Sequence, residues 1–378
     1  MHLIGTSIEE LPSSIWCCQK LKMIDLHNCD NLLGFGDNIE NYTEIGSLNT
    51  LVLSGCKQLN ASNLYFNLKA YQSTLTSLNL ENCCNLEALP DNIGLLSSLQ
   101  RLRLSGSNIE SLTSNIKNLN NLKELRLDNC KKLVSVSVSE LPPSLRLFSA
   151  INCISLVTDL TTLDIPFEHR SKPQPYPQSV FFPGSQVPKQ FIFRSEENYH
   201  RCSTSAVTVG HLPESGLYGF VFCLVLSKSN DQYRGVQCNI DQNSKDIGGK
   251  ATSLGNLHLV RDHVFLWYLD IRGGATHISL HGQIQKRGGW DNPYNMSFRF
   301  SLENEKGEWS TERIIGCGVL PLYHLEESDN YDEMNELQVT EIGSYHINEE
   351  DQTKKLHQVT IKLDSNKTSL SHIFVGMY

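Results

Sequence analysis

A spacing, more than any single motif, limits what this chain can fold into. In LKMIDLHNCDNL (21–32), Leu21, Ile24, Leu26, Cys29 and Leu32 stand at offsets 0, 3, 5, 8 and 11. The same offsets carry Leu48, Leu51, Leu53, Cys56 and Leu59, then Leu75, Leu78, Leu80, Cys83 and Leu86, and later Leu122, Leu125, Leu127, Cys130 and Leu133. LRLFSAINCISL keeps the frame more loosely, with Leu145, Phe148, Ala150, Cys153 and Leu156. LQRLRLSGSNIESL is a variant in which Ser107 replaces the cysteine and Ile109 and Leu112 follow. Starts at 21, 48, 75, 99, 122 and 145 give periods of 27, 27, 24, 23 and 23. Six copies held in phase at 20–30 residues define a stacked, quasi-one-dimensional repeat.

The pattern is that of a leucine-rich repeat. Alternating leucines in LxxLxL place apolar groups on one face of a short strand. A single repeat cannot bury them, so neighbours stack and share one core. The cysteine slot suits a small, buriable side chain with a weak S–H donor facing loop carbonyls. Five of the twelve cysteines occupy it, which gives them a packing role. Leu3, Ile8 and Leu11 match the second half of a repeat, so the chain opens inside one, and a longer architecture is expected.

The repeats end near Leu156. Between their strands, LPSSI (11–15), LPDNI (89–93) and LTSNI (112–116) form the convex side. Residues 157–180 then change character, with Pro166, Pro173, Pro175 and Pro177 among charges and Gln, which reads as a linker. From 181 to 323 the pattern is of short β-branched and aromatic runs separated by Gly, Asn, Asp and Ser, the mark of an all-β sandwich or barrel. Residues 326–351 carry ten Asp+Glu and no Lys or Arg, and belong to an acidic tail (324–378) expected to be partly disordered. KLHQVTIKL (355–363) alternates like one more strand. The fold class is therefore mixed: a parallel β arc followed by a β sandwich.

Composition excludes several function classes. The net charge of −9 is spread evenly, with 13 Lys+Arg against 17 Asp+Glu in residues 1–170 and 19 against 24 afterwards. No basic half exists to gather phosphates, so no direct nucleic-acid binding is expected. No C-x-x-C occurs, and a reducing compartment fits the scattered Cys202, Cys223, Cys238 and Cys317 better than a disulfide framework. GFVFCLVL (219–226) is too short to span a bilayer, and the N-terminus has no signal-peptide pattern. The expectation is a cytoplasmic protein, with the nucleus as a second compartment, and no membrane partner.

Residues 1–156 resemble the leucine-rich repeats of plant intracellular immune receptors, through LxxLxLxxCxxLxxLP and the LPxxI extension. Residues 181–323 resemble the jelly-roll and Ig-like domain, called C-JID, that follows the repeats in the Toll/interleukin-1 receptor class of these proteins. FPGSQVPKQF (182–191), GFVFCLVL, DHVFLWY (262–268) and IIGCGVLPLY (314–323) carry that likeness in order. Gln190 departs from it, since the family usually has Trp there. The resemblance implies a recognition module whose ligand is a protein, a pathogen effector or a guarded host protein. Oligomerisation would require upstream domains.

No enzyme and no cofactor are expected. Gly248-Gly249-Lys250 is followed by Ala251 and lacks the spacing of a phosphate-binding loop, and G-x-S-x-G is absent. His258, His263, His277 and His281 lie near one another in sequence without metal-ligand spacing, and read as strand-end histidines on a surface. Offsets 2, 4 and 6 of each repeat face the inner side of the arc, where Arg103 falls beside Arg126, a like-charge pair that folding alone does not favour. Glu81, Glu124 and Asp128 lie around them. The candidate partner-binding residues are Arg101, Arg103, Arg126 and Asp128 on the arc, with Trp290 and Tyr294 in the Gly-rich loop GGWDNPYN (288–295). A mixed-charge solvated face is the competing account of the arc residues, and an aromatic closing one end of the sandwich is that of the loop. At the level of the whole chain, the alternative is a freestanding scaffold, adaptor or decoy.

Overall fold

The computed structural model describes residues 1–12, 15, 18, 20–35, 47–68, 73–136, 141–157, 179–191, 193–196, 205–209, 217–242, 245–270 and 296–323. Trp290, Tyr294, the proline-rich stretch as far as 178, the acidic stretch and KLHQVTIKL lie outside the described residues.

Each repeat contributes one short strand. After the two-residue β1 (Glu10–Leu11) come β2 (Met23–Asp25), β3 (Gly34–Phe35), β4 (Thr50–Val52), β5 (Ser77–Asn79), β6 (Arg101–Arg103), β7 (Glu124–Arg126) and β8 (Leu147–Ser149). β1 and β3 pair with each other, whereas β2 and β4 to β8 run parallel, neighbour on neighbour. On β2 and β4 to β7 the central residue of each trio is buried in the core and its two flanks are more exposed, with Ile24, Leu51, Leu78, Leu102 and Leu125 at the centre. One apolar core runs from Leu11 to Leu156.

The convex side follows repeat length. The 27-residue repeat that starts at 48 has room for α1 (Ala61–Leu68), whose first turn is capped where Asn63 N–H donates to Asn60 Oδ1 at 3.0 Å. Shorter repeats use five-residue 3-10 turns instead, at Asp91–Leu95 and Ser114–Asn118. A Cβ at Gly94 would sit 2.6 Å from the Asn115 carbonyl oxygen, so these two turns can approach only through glycine.

The cysteine slot forms a second ladder. Sγ of Cys29, Cys56, Cys83, Cys130 and Cys153 donates to the carbonyls of Leu3, Leu26, Leu53, Leu104 and Leu127 at 3.0–3.3 Å. Ser107 does the same to Leu80 at 2.7 Å, which explains the substitution of a hydroxyl for a thiol. Burial pushes the thiols of Cys56, Cys83 and Cys130 up to about 12.

The remaining strands are β9 (Ser179–Pro183), β10 (Phe193–Glu196), β11 (Ala206–Val209), β12 (Leu217–Leu226), β13 (Ser229–Gln242), β14 (Lys245–Leu259), β15 (His263–Asp270), β16 (Met296–Asn304), β17 (Trp309–Ser310) and β18 (Ile314–Tyr323). They form two sheets, and one of them is not separate from the arc. Its order is β10-β18-β12-β15-β9-β8-β7-β6-β5-β4-β2, eleven strands in one hydrogen-bonded surface. β9 is the seam: it pairs parallel with β8 and antiparallel with β15. The second sheet runs β11-β16-β13-β14, with β17 on β16.

The core between the two sheets is aromatic. Phe220 meets Phe298 at 5.1 Å, and Phe222 lies 5.4 Å from Trp267 and 5.9 Å from Phe300, ring centre to ring centre. Ile151 from the last repeat joins this core. On the outer face of the long sheet, Val187 and Phe191 from FPGSQVPKQF cover Val221, Cys223, Val225 and Leu266. Gly318 admits them, since a Cβ there would stand 2.9 Å from Val187 Cγ1.

Candidate protein-recognition surface

The inner face of the arc is made by the residues that flank each buried leucine. On β6 and β7 the register sets Arg101 opposite Glu124 and Arg103 opposite Arg126. Two arginines therefore stand side by side on adjacent parallel strands, and both turn to one carboxylate. Arg103 Nε lies 3.2 Å from Glu124 Oε1, and Arg126 Nε lies 2.6 Å from the same oxygen. Burial would raise the Glu124 pKa, but the Arg126 hydrogen bond and the charges of both guanidiniums outweigh it and hold it below the usual range. The arginine side chains remain about 40% exposed, at 41% and 39%. Arg101 is exposed and makes no ion pair among the described residues.

Asp128 has a different role from its neighbours. Its Oδ1 accepts the Ser149 hydroxyl and, at 3.0 Å, the Ile151 N–H, while Arg126 Nη1 stays 4.0 Å from Oδ2. Burial raises its pKa, and these hydrogen bonds only partly oppose that. It orders the turn of the last repeat as much as it presents charge. Glu81 makes no ion pair with the arginines among the described residues, and Asn79 Oδ1 accepts its backbone N–H at 2.9 Å.

Sequence reasoning missed the joint between arc and sandwich. After each strand, a residue with positive φ turns the chain: Asn28 (58°), Gly55 (75°), Asn82 (59°), Gly106 (74°), Asn129 (61°) and Asn152 (58°). Asparagine and glycine tolerate this region best. In the first five, the N–H donates to a carbonyl of the following repeat, the last of these being Asn129 to Ile151 at 2.7 Å. Asn152 has no following repeat, and its N–H donates instead to His263 Nε2 at 2.9 Å. Its side chain completes the dock: Nδ2 donates to the His258 carbonyl at 2.8 Å, and Oδ1 accepts Val260 N–H at 3.0 Å.

His263 is thus a correction to the surface reading of the histidines. It is fully buried, while His258 is exposed. Nδ1 donates to the Arg261 carbonyl at 2.7 Å, which leaves Nε2 as acceptor and fixes the neutral tautomer. Burial drives its pKa down to about 4. His277 and His281 lie outside the described residues. The only cue in sequence was a histidine opening an apolar strand run, in DHVFLWY.

The fold defines a leucine-rich-repeat protein whose parallel sheet continues into a two-sheet β sandwich. A family model described as the Endo-beta-N-acetylglucosaminidase EndoS LRR domain matches residues 91–172. The chain is similar to the "Disease resistance-like protein DSC1" of Arabidopsis thaliana, 34% identical over 203 residues that cover 41% of this chain and 16% of that protein. It is also similar to the "Protein SUPPRESSOR OF npr1-1, CONSTITUTIVE 1" of Arabidopsis thaliana, 28% identical over 87% of this chain and 22% of that protein. The chain thus spans less than a quarter of the length of either. Among solved structures, the leucine-rich repeat domain of the type III effector XCV3220 (XopL) shares 21% identity at a TM-score of 0.33, over 42% of this chain and 54% of that one.

Proposed function

We propose that this chain is the ligand-recognition part of a plant intracellular immune receptor. It binds a protein, either a pathogen effector or the host protein that an effector modifies, and has no catalytic activity of its own. The sandwich corresponds to the jelly-roll and Ig-like C-JID domain, and the protein works in the cytoplasm, with the nucleus as a second compartment. The observation that carries the reading is the unbroken eleven-stranded sheet, which gives the arc's inner face and the sandwich one rigid frame. Similarity to the disease resistance-like protein DSC1 over 41% of this chain supports the biological setting.

Arg101, Arg103 and Arg126, with Asp128 at their margin, are the arc's contact residues, and Trp290 and Tyr294 are proposed for the sandwich. Arginine and aromatic side chains are the types that dominate binding energy at interfaces. The test is co-precipitation from leaf cells that express the chain with individual pathogen effectors. Wild type should retain a cognate effector, and the Arg103→Glu/Arg126→Glu and Trp290→Ala variants should lose it. Retention of a host protein alone, unchanged by effectors and by either variant, would favour the scaffold account.

A further inference from the structure

We propose that the β6–β7 arginines form a preorganised receptor for a carboxylate, so that the partner's contact residue on the arc is an Asp or Glu side chain. The inference rests on the recognition role proposed above and names the chemistry of that surface. Both Arg103 and Arg126 spend their Nε on a single oxygen, Glu124 Oε1, at 3.2 and 2.6 Å. Each guanidinium is held by one edge only, and the terminal nitrogens have no hydrogen-bond partner among the described residues. Asp128 Oδ2 stands 4.0 Å from Arg126 Nη1, and Asp128 is committed through Oδ1 to Ser149 and Ile151.

A fixed guanidinium with a free pair of N–H donors matches a carboxylate in bidentate geometry. Pinning removes part of the side-chain ordering cost that an exposed arginine incurs when it binds. Arg101 adds a third positive charge on the same face, two residues before Arg103 on β6. Glu124 and Asp128 together cannot neutralise three guanidiniums, so the cluster keeps a net positive charge. Charge complementarity selects an acidic side chain.

The probe is a tetraglutamate peptide titrated into the full chain, with tetraglutamine as control, followed by the side-chain N–H signals of arginine in NMR spectra. Signals of Arg103 and Arg126 should move with tetraglutamate and not with tetraglutamine, and the effect should fade as salt rises. Arg103→Gln/Arg126→Gln should weaken binding by about tenfold, and Arg101→Gln by about threefold. The Arg101 side chain is exposed and makes no hydrogen bond or ion pair among the described residues, so Arg101→Gln reads the receptor even if the double variant melts early. Glu124→Gln keeps an acceptor for both Nε groups while it removes the competing charge, so tetraglutamate should bind more tightly. Motionless arginine signals, or unchanged binding in the glutamine variants, would overturn the carboxylate receptor. Loss of effector retention in the Arg103→Glu/Arg126→Glu variant alongside such a result would leave the recognition role standing, so the two failures are distinguishable.

Discussion

Asn152 and His263 are 111 residues apart, yet the N–H of one donates to the ring nitrogen of the other at 2.9 Å. The imidazole takes the place that a carbonyl of the next repeat would fill. With Ala150 N–H donating to the Phe181 carbonyl at 2.8 Å, the sandwich ends the solenoid by continuing its hydrogen-bond pattern. A stacked repeat needs its terminal face covered. Here the cover is the sandwich end of the same sheet, reached through β9.

Acid should loosen this joint. The imidazole has a pKa of about 6.5 in an unfolded chain and about 4 in the fold, where burial disfavours its charge. Between these values the unfolded chain binds more protons, so stability is fully present above about pH 6.5 and falls as pH drops toward 4, by roughly 3 kcal/mol at most. Protonation would also set an N–H at Nε2 against the Asn152 N–H. Urea unfolding of wild type and His263→Gln at several pH values should show the wild-type advantage shrinking through this window. A pH-independent gap would contradict the neutral, buried histidine.

Asn152 supplies two separable effects. Asn152→Gly keeps the positive φ but loses the bonds to His258 and Val260, at an expected cost of about 2 kcal/mol. Asn152→Ala loses the same bonds and adds about 1 kcal/mol of left-handed strain. Chemical denaturation of both should rank alanine below glycine. Equal stabilities would mean that φ is not constrained there.

The thiol ladder should be inert and tolerant of oxygen. Among the described cysteines, Cys18 and Cys84 are exposed, and the repeat-slot thiols are buried donors. A thiol reagent applied to the native chain should modify Cys18 and Cys84 while Cys56, Cys83 and Cys130 stay protected until unfolding. Cys83→Ser should cost less than Cys83→Ala, because Ser107 already makes the equivalent bond in the neighbouring repeat. Thermal melts rank the two variants, and a better-tolerated alanine would deny the ladder its role.

Trp267 is buried in the sandwich core, and its Nε1 has no hydrogen-bond partner among the described residues. Trp267→Phe removes an unsatisfied donor while it keeps most of the ring contact, so the change should stay within about 1 kcal/mol. Trp267→Ala should cost about 3–5 kcal/mol through the cavity it leaves. A large loss in the phenylalanine variant, read by denaturant unfolding, would mean that the indole N–H has a partner.

The arc was legible because its signal is periodic: Ile24, Leu51, Leu78, Leu102 and Leu125 recur at positions that local geometry sends into one core. The pairing of Arg103 with Arg126 followed from the same register. Glu124 as a shared clamp did not, since offset alone does not tell which carboxylate reaches two guanidiniums. The joint was illegible for a deeper reason. Nothing local to Asn152 or His263 encodes a contact across 111 residues, and His263 looks like a strand-end histidine until β15 is laid against β9. The change of pattern near 180 suggested a border, but Val180 and Phe181 belong at once to the last rung of the arc and to the sandwich.

Native-state hydrogen exchange at the seam distinguishes one continuous sheet from an arc and a sandwich that merely abut. The amide of Ala150 bonds across the seam to β9, and that of Ser179 bonds back to Arg146 at 3.2 Å. In one continuous sheet, Ala150 exchanges as slowly as Leu104 and Leu127 inside the arc, and β9 and the last repeat open in a single cooperative step. Fast exchange at Ala150 and Ser179, with the arc and the sandwich each protected as separate units, would contradict it.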